Sequence, residues 1–345
     1  MTAAKGKRLA AANKFTTRKV HLHIENYDDL GPVFEVTPKR IKEALARHPK
    51  MARQVQITTG REGRQLAKNL KTADVLFTWH INDRDKFAQV APNVRWVAIH
   101  GAGVSHLMPL NWLPEGAVMT NSAGVHGDRA NEYAMMAILM LNNRVPEMTT
   151  NQRRSRWEQL FNSGIKGKTL LIVGVGAVGA GAARHAKHFG LNVIGVRRSG
   201  KPRRYVDEMH TPDKLRRLLP KADFLLMCAP DTVHTHHMIS KNELDLMKKG
   251  AGICVFSRSG TVDYKALRTK LQRGDLHAVL DVFNPEPLPK SSPLWKTPNL
   301  VITPHCSSDD WDLYTPRTLD LLFENMSRFL RGRKLKNIVD PVLQY

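Results

Sequence analysis

Three ionisable residues in the second half of the chain each follow a strand-like run. They are Arg258 after residues 252–256, Glu286 after residues 276–282 and His305 after residues 300–303. An arginine can bind a carboxylate and polarise a neighbouring carbonyl oxygen. A histidine can donate a proton to an alkoxide, and a nearby carboxylate favours its protonated form. These residue types fit reduction of a 2-oxo acid by hydride transfer, with the histidine acting as the base in the reverse direction.

A glycine-rich turn between two apolar runs is the second chemical signal. Residues 170–173 lead into a G-x-G-x-x-G sequence, a small-residue helix and a second run at 193–196. The first glycine of such a unit allows a tight turn, the second lets backbone approach a pyrophosphate, and the third lets helix and strand pack closely. The sequence therefore predicts a dinucleotide site that includes Gly174, Gly176, Ala177, Val178 and Gly179.

The residues that follow the second run favour one dinucleotide. NAD sites usually have an acidic residue here, which accepts a hydrogen bond from the ribose 2′-hydroxyl. This chain has Arg197, followed by Arg198 and Ser199. A guanidinium binds a phosphate but cannot accept a hydrogen bond. We therefore predict that NADP(H) is preferred, with NAD(H) possible, and ordinary surface charge is the alternative explanation of the two arginines.

Composition narrows the class of protein. A chain of 345 residues is long enough for two domains, and it contains no apolar stretch of transmembrane length. Cys228, Cys254 and Cys306 suggest a reducing compartment and lack metal-ligand spacing. The formal charge of +22 comes from scattered residues, so we expect it to attract anionic substrate and cofactor or simply to aid solubility, and a nucleic-acid partner is not favoured. The histidines at 234, 236 and 237 predict no metal site.

The N-terminal segment is basic and lacks the apolar core of a secretory signal. Residues 1–19 contain six lysines and arginines and no acidic residue. We predict a cytoplasmic protein, and organellar targeting by this segment stays open.

Alternating strand-like and helix-like runs predict an α/β fold of two domains. A substrate-binding domain is predicted at 1–125 and 308–345, and a dinucleotide-binding domain at 126–307. The active site is expected in the cleft between the domains, at the carboxyl ends of the strands. The last helix is predicted to begin with Thr315 as its N-cap and Pro316 as its first position, to end before Gly332 and to pack on the first domain.

Several ordered motifs resemble the D-2-hydroxyacid dehydrogenase family, most of all its NADP-dependent glyoxylate/hydroxypyruvate reductase-like branch. The motifs are residues 121–125, 167–169, 247–251, 281–289, 292–295 and 303–305. The resemblance implies a Rossmann domain and a flavodoxin-like substrate domain. It implies a homodimer built largely through the cofactor domain.

The resemblance also implies roles for individual residues. The catalytic set would be Arg258, Glu286 and His305. Substrate contacts would come from Trp79, Gly101, Ala102, Gly103, Val104 and Arg258. Further cofactor contacts would come from Cys228, Pro230, Thr235 and Asp281.

The segment after His305 departs from the family pattern. Asp309 and Asp310 would disfavour a second anionic group on the substrate, so 3-phosphoglycerate is not favoured, and Trp311 and Tyr314 could line an apolar pocket. A cofactor-sensing binding protein, such as a corepressor-like relative, is the main alternative, and only the high positive charge favours it. Formate dehydrogenase is disfavoured by Glu286. The identity of the 2-oxo acid and the physiological direction stay open.

Overall fold

The computed structural model describes residues 18–345, and the basic segment predicted at 1–19 lies outside the described residues apart from its last two positions. Residues 18–125 with Asp310–Tyr345 form one compact unit, which we name the terminal unit. His126–Asp309 form the other, which we name the central unit. Across residues 18–345, no helix has the length and apolar character needed to cross a membrane.

The terminal unit is built on a five-stranded parallel sheet. Its strands are β1 Val20–Asn26, β2 Val55–Arg61, β3 Val75–Thr78, β4 Trp96–Ile99 and β5 Val118–Thr120. Its first helices are α1 Pro38–Arg47, α2 Pro49–Gln54, α3 Leu66–Leu70 and α4 Phe87–Val90. The strand order is β2-β1-β3-β4-β5, which is the flavodoxin-like order.

The central unit is built on a seven-stranded parallel sheet. Its strands are β6 Thr169–Val173, β7 Asn192–Val196, β8 Glu208–His210, β9 Phe224–Met227, β10 Ala251–Val255, β11 Leu276–Leu280 and β12 Leu300–Ile302. Its helices are α5 Gly127–Asn142, α6 Val145–Arg153, α7 Ala177–His188, α8 Leu215–Leu218, α9 Lys241–Leu244 and α10 Tyr264–Gln272. The order β12-β11-β10-β9-β6-β7-β8 reverses between β6 and β9, as in Rossmann folds, whose ligands bind beyond the carboxyl ends of the strands at that point.

Small residues allow close packing on the central sheet. Both faces of a parallel sheet must be covered, and its strands are accordingly apolar along their whole length. Leu171 and Ile172 of β6 belong to separate buried clusters, one on each face. At Gly252 of β10, an added Cβ would lie 2.8 Å from the Cβ of Leu141 on α5, so this helix contacts the backbone of the strand. Helix α5 therefore packs directly on β10, the strand that precedes Arg258.

The C-terminal helix begins earlier than the sequence predicted. Helix α11 spans Tyr314–Leu330 with Leu313 as its N-cap, so the prediction of Thr315 as N-cap was wrong. The Asp310 Oδ1 accepts hydrogen bonds from the N–H groups of Asp312 and Leu313, which starts the turn before Thr315 is reached. The Thr315 hydroxyl instead donates to the carbonyl of Val33. The helix packs on the terminal unit through the buried side chains of Leu319, Leu322, Phe323, Met326 and Phe329.

Candidate active site

The glycine turn after β6 has the close contacts that its spacing predicted. Gly174 has a φ of +100°, and an added Cβ would lie 2.6 Å from the carbonyl carbon of Cys228. A Cβ on Gly179 would overlap the carbonyl oxygen of Gly174. At Gly176, the N-cap of α7, an added Cβ would meet nothing within 4 Å. The backbone is therefore crowded on the protein side and open at the start of α7, which fits a dinucleotide pyrophosphate.

Arginines stand at the carboxyl end of β7, next to this turn. Val196 ends the strand, and the Arg197 N–H donates to the carbonyl of His210 on β8 at 3.0 Å. The chain then reverses, because the Gly200 N–H donates to the Arg197 carbonyl at 3.1 Å. Arg197 is half-buried, whereas Arg198 and Ser199 are exposed. The cationic side chains therefore follow the strand adjacent to β6, where a ribose phosphate would be bound.

The loop after β9 lies beside the glycine turn and is closed by its own hydrogen bonds. The Cys228 N–H donates to the Val173 carbonyl at 2.8 Å, and burial raises the pKa of the Cys228 thiol to about 12. The Thr235 hydroxyl donates to the Pro230 carbonyl at 2.6 Å and accepts from the Thr232 N–H at 2.8 Å. Cys228 and Pro230 thus border the turn, whereas the Thr235 hydroxyl is already engaged in shaping the loop.

The three histidines of this loop show no metal-binding arrangement. His236 Nδ1 lies 3.1 Å from Asp231 Oδ1, and the rings of His236 and His237 stack with centroids 4.3 Å apart. In the part of the chain that the structure describes, no three His, Cys, Asp or Glu side chains are grouped so that they could hold a metal ion.

Two of the predicted catalytic residues are in direct contact. His305 Nδ1 lies 2.6 Å from Glu286 Oε2, with the two side chains 39% and 33% exposed. The other carboxylate oxygen of Glu286 accepts a hydrogen bond from the Phe283 N–H at 2.6 Å. His305 has a φ of +49°, a left-handed conformation that is strained for histidine and that is often found at functional sites.

The contact shifts both pKa values in the direction that favours an imidazolium–carboxylate pair. The hydrogen bond to Glu286 raises the pKa of His305, although burial and the charge of Arg258 oppose it. Burial raises the pKa of Glu286, but the hydrogen bonds from His305 and the Phe283 N–H, with the charges of His305 and Arg258, lower it overall. The pair can therefore hold a proton on His305 over a wider pH range than an isolated histidine.

The loop that carries His305 is fixed by Asp281, which is fully buried at the end of β11. Its carbonyl accepts from the His305 N–H at 2.8 Å. Its carboxylate accepts from the Thr303 hydroxyl at 2.5 Å and from the N–H groups of Cys306 and Ser307 at 3.1 Å each. These bonds hold the strained backbone of His305, a structural role that the sequence did not predict for this residue.

Arg258 follows β10 on a short helical turn. Its Nη1 donates to the Ser257 carbonyl at 2.6 Å, and its own carbonyl accepts from the Thr261 hydroxyl at 2.8 Å. The backbone at Gly260 lies against the Asp231 carboxylate, which an added Cβ would displace. The charge of Arg258 acts to lower the pKa values of both His305 and Glu286. The structure therefore places all three predicted residues close enough for their charges to interact.

A second histidine belongs to this neighbourhood and was missed by the sequence reasoning. His126, the N-cap of α5, has its Nδ1 3.3 Å from the Ser308 carbonyl and 3.6 Å from Asp309 Oδ1. The charges of Arg258 and His305 both influence its pKa. The only sequence signal for His126 was its position directly after the motif at 121–125. That signal could not predict the contact with Asp309, which lies 183 positions further along the chain.

The predicted substrate-binding residues of the terminal unit lie after β3 and β4. Trp79 packs on Phe34 and His100, with ring centroids 4.7 Å and 5.4 Å away, and Gly101 lies against its ring. The carbonyls of Gly101 and Ala102 accept hydrogen bonds from the Ser122 N–H and the Asn121 amide. Within residues 18–345, the N–H groups of residues 101–104 donate no hydrogen bond. Four consecutive donors are thus available, as a substrate carboxylate requires.

Comparisons with known proteins agree with this geometry. Residues 135–307 match the family described as D-isomer specific 2-hydroxyacid dehydrogenase, NAD binding domain. A glyoxylate reductase from Korarchaeum cryptofilum is 32% identical over 262 residues, or 73% of this chain and 78% of that protein. Glyoxylate/hydroxypyruvate reductase B from Enterobacter sp. is 34% identical over 215 residues, or 60% of this chain and 66% of that protein.

A solved structure shows the same relationship along nearly the whole chain. The D-isomer specific 2-hydroxyacid dehydrogenase from Xanthobacter autotrophicus Py2, in complex with NADPH and MES, superimposes with a TM-score of 0.80 at 25% identity. The superposition covers 95% of this chain and 100% of that one.

The fold and the comparisons define an NAD(P)-dependent oxidoreductase of 2-oxo and 2-hydroxy acids. The chain belongs to the D-isomer specific 2-hydroxyacid dehydrogenase family. The family resemblance and the fold predicted from the sequence are therefore confirmed.

Proposed function

We propose that this enzyme uses NADPH to reduce a small 2-oxo acid to the D-2-hydroxy acid. The substrate is of the glyoxylate or hydroxypyruvate type, or a somewhat larger apolar 2-oxo acid. The hydrogen bond between His305 and Glu286, at 2.6 Å, is the observation that carries this proposal. It supplies a proton donor whose pKa is raised, beside an arginine that can hold a carboxylate.

His305, Glu286 and Arg258 have different roles in the proposed reaction. When bound, the reduced nicotinamide supplies a hydride to the substrate carbonyl carbon. Because Nδ1 of His305 faces Glu286, Nε2 is the atom that donates the proton to the forming alkoxide. Arg258 binds the substrate carboxylate and polarises the carbonyl oxygen. In the reverse direction, His305 accepts the proton from the hydroxyl group.

The terminal unit is proposed to contact the substrate through Trp79 and residues 101–104. The available N–H groups of that segment favour a carboxylate ligand. The aromatic neighbours of Trp79, Phe34 and Tyr314, lie 4.7 Å and 6.3 Å away by ring centroid and favour a neutral side chain.

NADPH is the proposed cofactor because of the charge at the end of β7. Arg197 and Arg198, with Ser199, supply donors to a 2′-phosphate, and no acidic residue follows the strand directly. The remaining proposed contacts come from Gly174, Gly176, Ala177, Val178, Gly179, Cys228, Pro230, Thr235 and Asp281. Asp281 and Thr235 act mainly by holding the surrounding loops.

A homodimer formed through the central unit is proposed as the assembly. Trp157 and Phe161 follow α6 and are 95% and 84% exposed. Exposed apolar side chains that lie close together are typical of an interaction surface, and these two are four positions apart. Light scattering after size-exclusion chromatography should give a dimer for the natural chain and a monomer for the double variant Trp157→Asp, Phe161→Asp. A natural chain that is monomeric would contradict the proposal.

The first experiment is a substrate panel followed by NADPH absorbance. Glyoxylate, hydroxypyruvate, pyruvate, 2-oxoisovalerate and phenylpyruvate are tested with NADPH and then with NADH. Turnover with a clear preference supports the reductase and shows whether the pocket takes small or apolar side chains. No turnover on any of them, with NADPH still binding, would refute the proposed reaction and favour a cofactor-sensing binding protein.

A further inference from the structure

Asp309 lies four positions after His305. Its carboxylate has few hydrogen-bond or ion-pair partners, although most of the side chain is shielded from solvent. Its side chain is 22% exposed, and its ion-pair contact is with His126 Nδ1, which lies 3.6 Å from Asp309 Oδ1, beyond hydrogen-bond distance. No described residue donates a hydrogen bond to it. Most carboxylates this far removed from solvent accept hydrogen bonds, whereas no hydrogen bond from a described residue offsets the negative charge of Asp309.

His126 does not supply the missing positive charge. Its Nδ1 lies 3.3 Å from the Ser308 carbonyl, which can only accept, so Nδ1 carries a hydrogen. Burial, with the charges of Arg258 and His305, lowers the pKa of His126 to about 4, although the hydrogen bond to Ser308 opposes the shift. The ring is therefore neutral at neutral pH, and the Asp309 charge remains.

Five charged or titratable groups surround Asp309 in the central unit. His126 comes from the start of α5, Arg258 follows β10, Asp281 follows β11, and His305 and Cys306 lie on the same loop. Burial raises the pKa of Asp309 to about 6, with Asp281 adding to the effect and His305 and Arg258 opposing it. Asp309 is thus ionised at neutral pH and becomes neutral in mild acid.

We infer that Asp309, held beside the neutral His126, is a specificity residue that excludes 2-oxo acids bearing a second negative charge. The inference rests on the proposed function, because it takes the substrate to lie at Arg258 and His305. Arg258 attracts one carboxylate. Once Arg258 binds that carboxylate, a second carboxylate or a phosphate beside Asp309 would face a like charge, and such contacts disfavour binding. The pocket therefore selects monoanionic 2-oxo acids with a neutral side chain.

The test compares two acids of the same chain length, 2-oxopentanoate and 2-oxoglutarate, which differ by one carboxylate. Dissociation constants are measured by calorimetry on the complex with NADP⁺, which cannot turn over, and kcat/KM is measured with NADPH. The natural enzyme should bind 2-oxopentanoate more tightly. In Asp309→Asn, the preference should fall about tenfold, mostly through tighter binding of 2-oxoglutarate. Asp312→Asn, an equal charge change at an exposed residue, should leave it unchanged.

A pH series on the natural enzyme provides a second measurement that needs no variant. Protonation of Asp309 removes its charge, so the preference should weaken between about pH 8 and about pH 5, while Asp309→Asn should show no such change. An unchanged preference in a variant that still binds 2-oxopentanoate would overturn the inference alone. Exclusion of both five-carbon acids by the natural enzyme and the variant alike, with shorter 2-oxo acids still bound, would show that chain length sets the pocket, and would also overturn it. If the natural enzyme neither binds nor reduces any 2-oxo acid, the proposed function fails and the inference with it.

Discussion

Two histidine–glutamate pairs lie in the two units, with similar geometry and different surroundings. In the terminal unit, His23 Nε2 lies 2.9 Å from Glu25 Oε2, and both side chains are fully buried. In the central unit, His305 Nδ1 lies 2.6 Å from Glu286 Oε2, and more than a third of the histidine side chain is exposed. The other ring nitrogen of His23 is 2.9 Å from the Thr58 hydroxyl. The corresponding nitrogen of His305 contacts no hydrogen-bond partner among the described residues.

The difference shows that a histidine–glutamate pair can donate a proton to a substrate only where the substrate can reach the histidine. The His23 pair joins β1 to β2 through Thr58, and Glu25 also accepts from the Gly63 N–H just after β2 at 2.7 Å. Both side chains are fully buried, so no substrate can reach the pair. The His305 pair lies at the carboxyl end of the central sheet, with one nitrogen oriented by the carboxylate and one open. General acid catalysis requires an accessible ring nitrogen, as in the His305 pair. The closed His23 pair can contribute only to stability.

Replacing the open histidine should give the largest effect on activity. We expect His305→Ala to lower kcat/KM for 2-oxo acid reduction by about a thousandfold, because the proton donor is lost. The dissociation constant of NADPH, measured by fluorescence titration, should stay near that of the natural enzyme. Loss of cofactor binding instead would mean that His305 supports the dinucleotide site, and the assignment would be wrong.

Replacing the buried histidine should affect stability and spare the chemistry. His23→Leu should lower the free energy of unfolding by about 3 kcal/mol, because the buried Glu25 loses its partner. Denaturant unfolding measures this change, and kcat of the folded fraction should be unaltered. His234→Leu, at an exposed position, is the matched control and should have little effect. A selective loss of kcat in His23→Leu would contradict the contrast between the pairs.

The parts of the molecule that follow from local spacing were predictable. The glycine turn and its flanking strands were found because the spacing of its glycines has local steric causes, as the crowding at Gly174 and Gly179 shows. Arg258, Glu286 and His305 could be selected because each follows a strand, and parallel strands end at the same edge of a sheet.

The parts that depend on distant contacts were not predictable. The start of α11 was misplaced because the Asp310 side chain, and not Thr315, satisfies the first free N–H groups. Thr315 resembles an N-cap in sequence, yet it is fully buried and donates to Val33. The contact of His126 with Asp309 requires the folded chain, because no spacing rule links residues so far apart.

Two arginines show a similar contrast between a side chain that is paired with a carboxylate and one that is not. Arg18 in the terminal unit is paired with Asp74 at 2.6 Å, whereas the Arg197 guanidinium contacts no carboxylate among the described residues. We expect Arg197→Asp combined with Arg198→Ala to lower the NADPH-to-NADH ratio of kcat/KM about a hundredfold, because a phosphate contact is replaced by repulsion. Arg217→Asp, an exposed control on α8, should leave the ratio unchanged. An unaltered ratio in the double variant would refute the 2′-phosphate assignment.

The carboxylate of the open pair should set the pH range of the reaction. Glu286 raises the pKa of His305, so replacing it with glutamine should lower that pKa. Reduction needs protonated His305, and kcat/KM therefore falls as pH rises through this pKa. In Glu286→Gln the fall should begin about one pH unit lower, as expected when a neighbouring opposite charge is removed. The equivalent change in the closed pair, Glu25→Gln, should not move the profile. If the fall of kcat/KM occurs at the same pH in Glu286→Gln, it is caused by the titration of another group. The contact with Glu286 would then only orient the ring of His305.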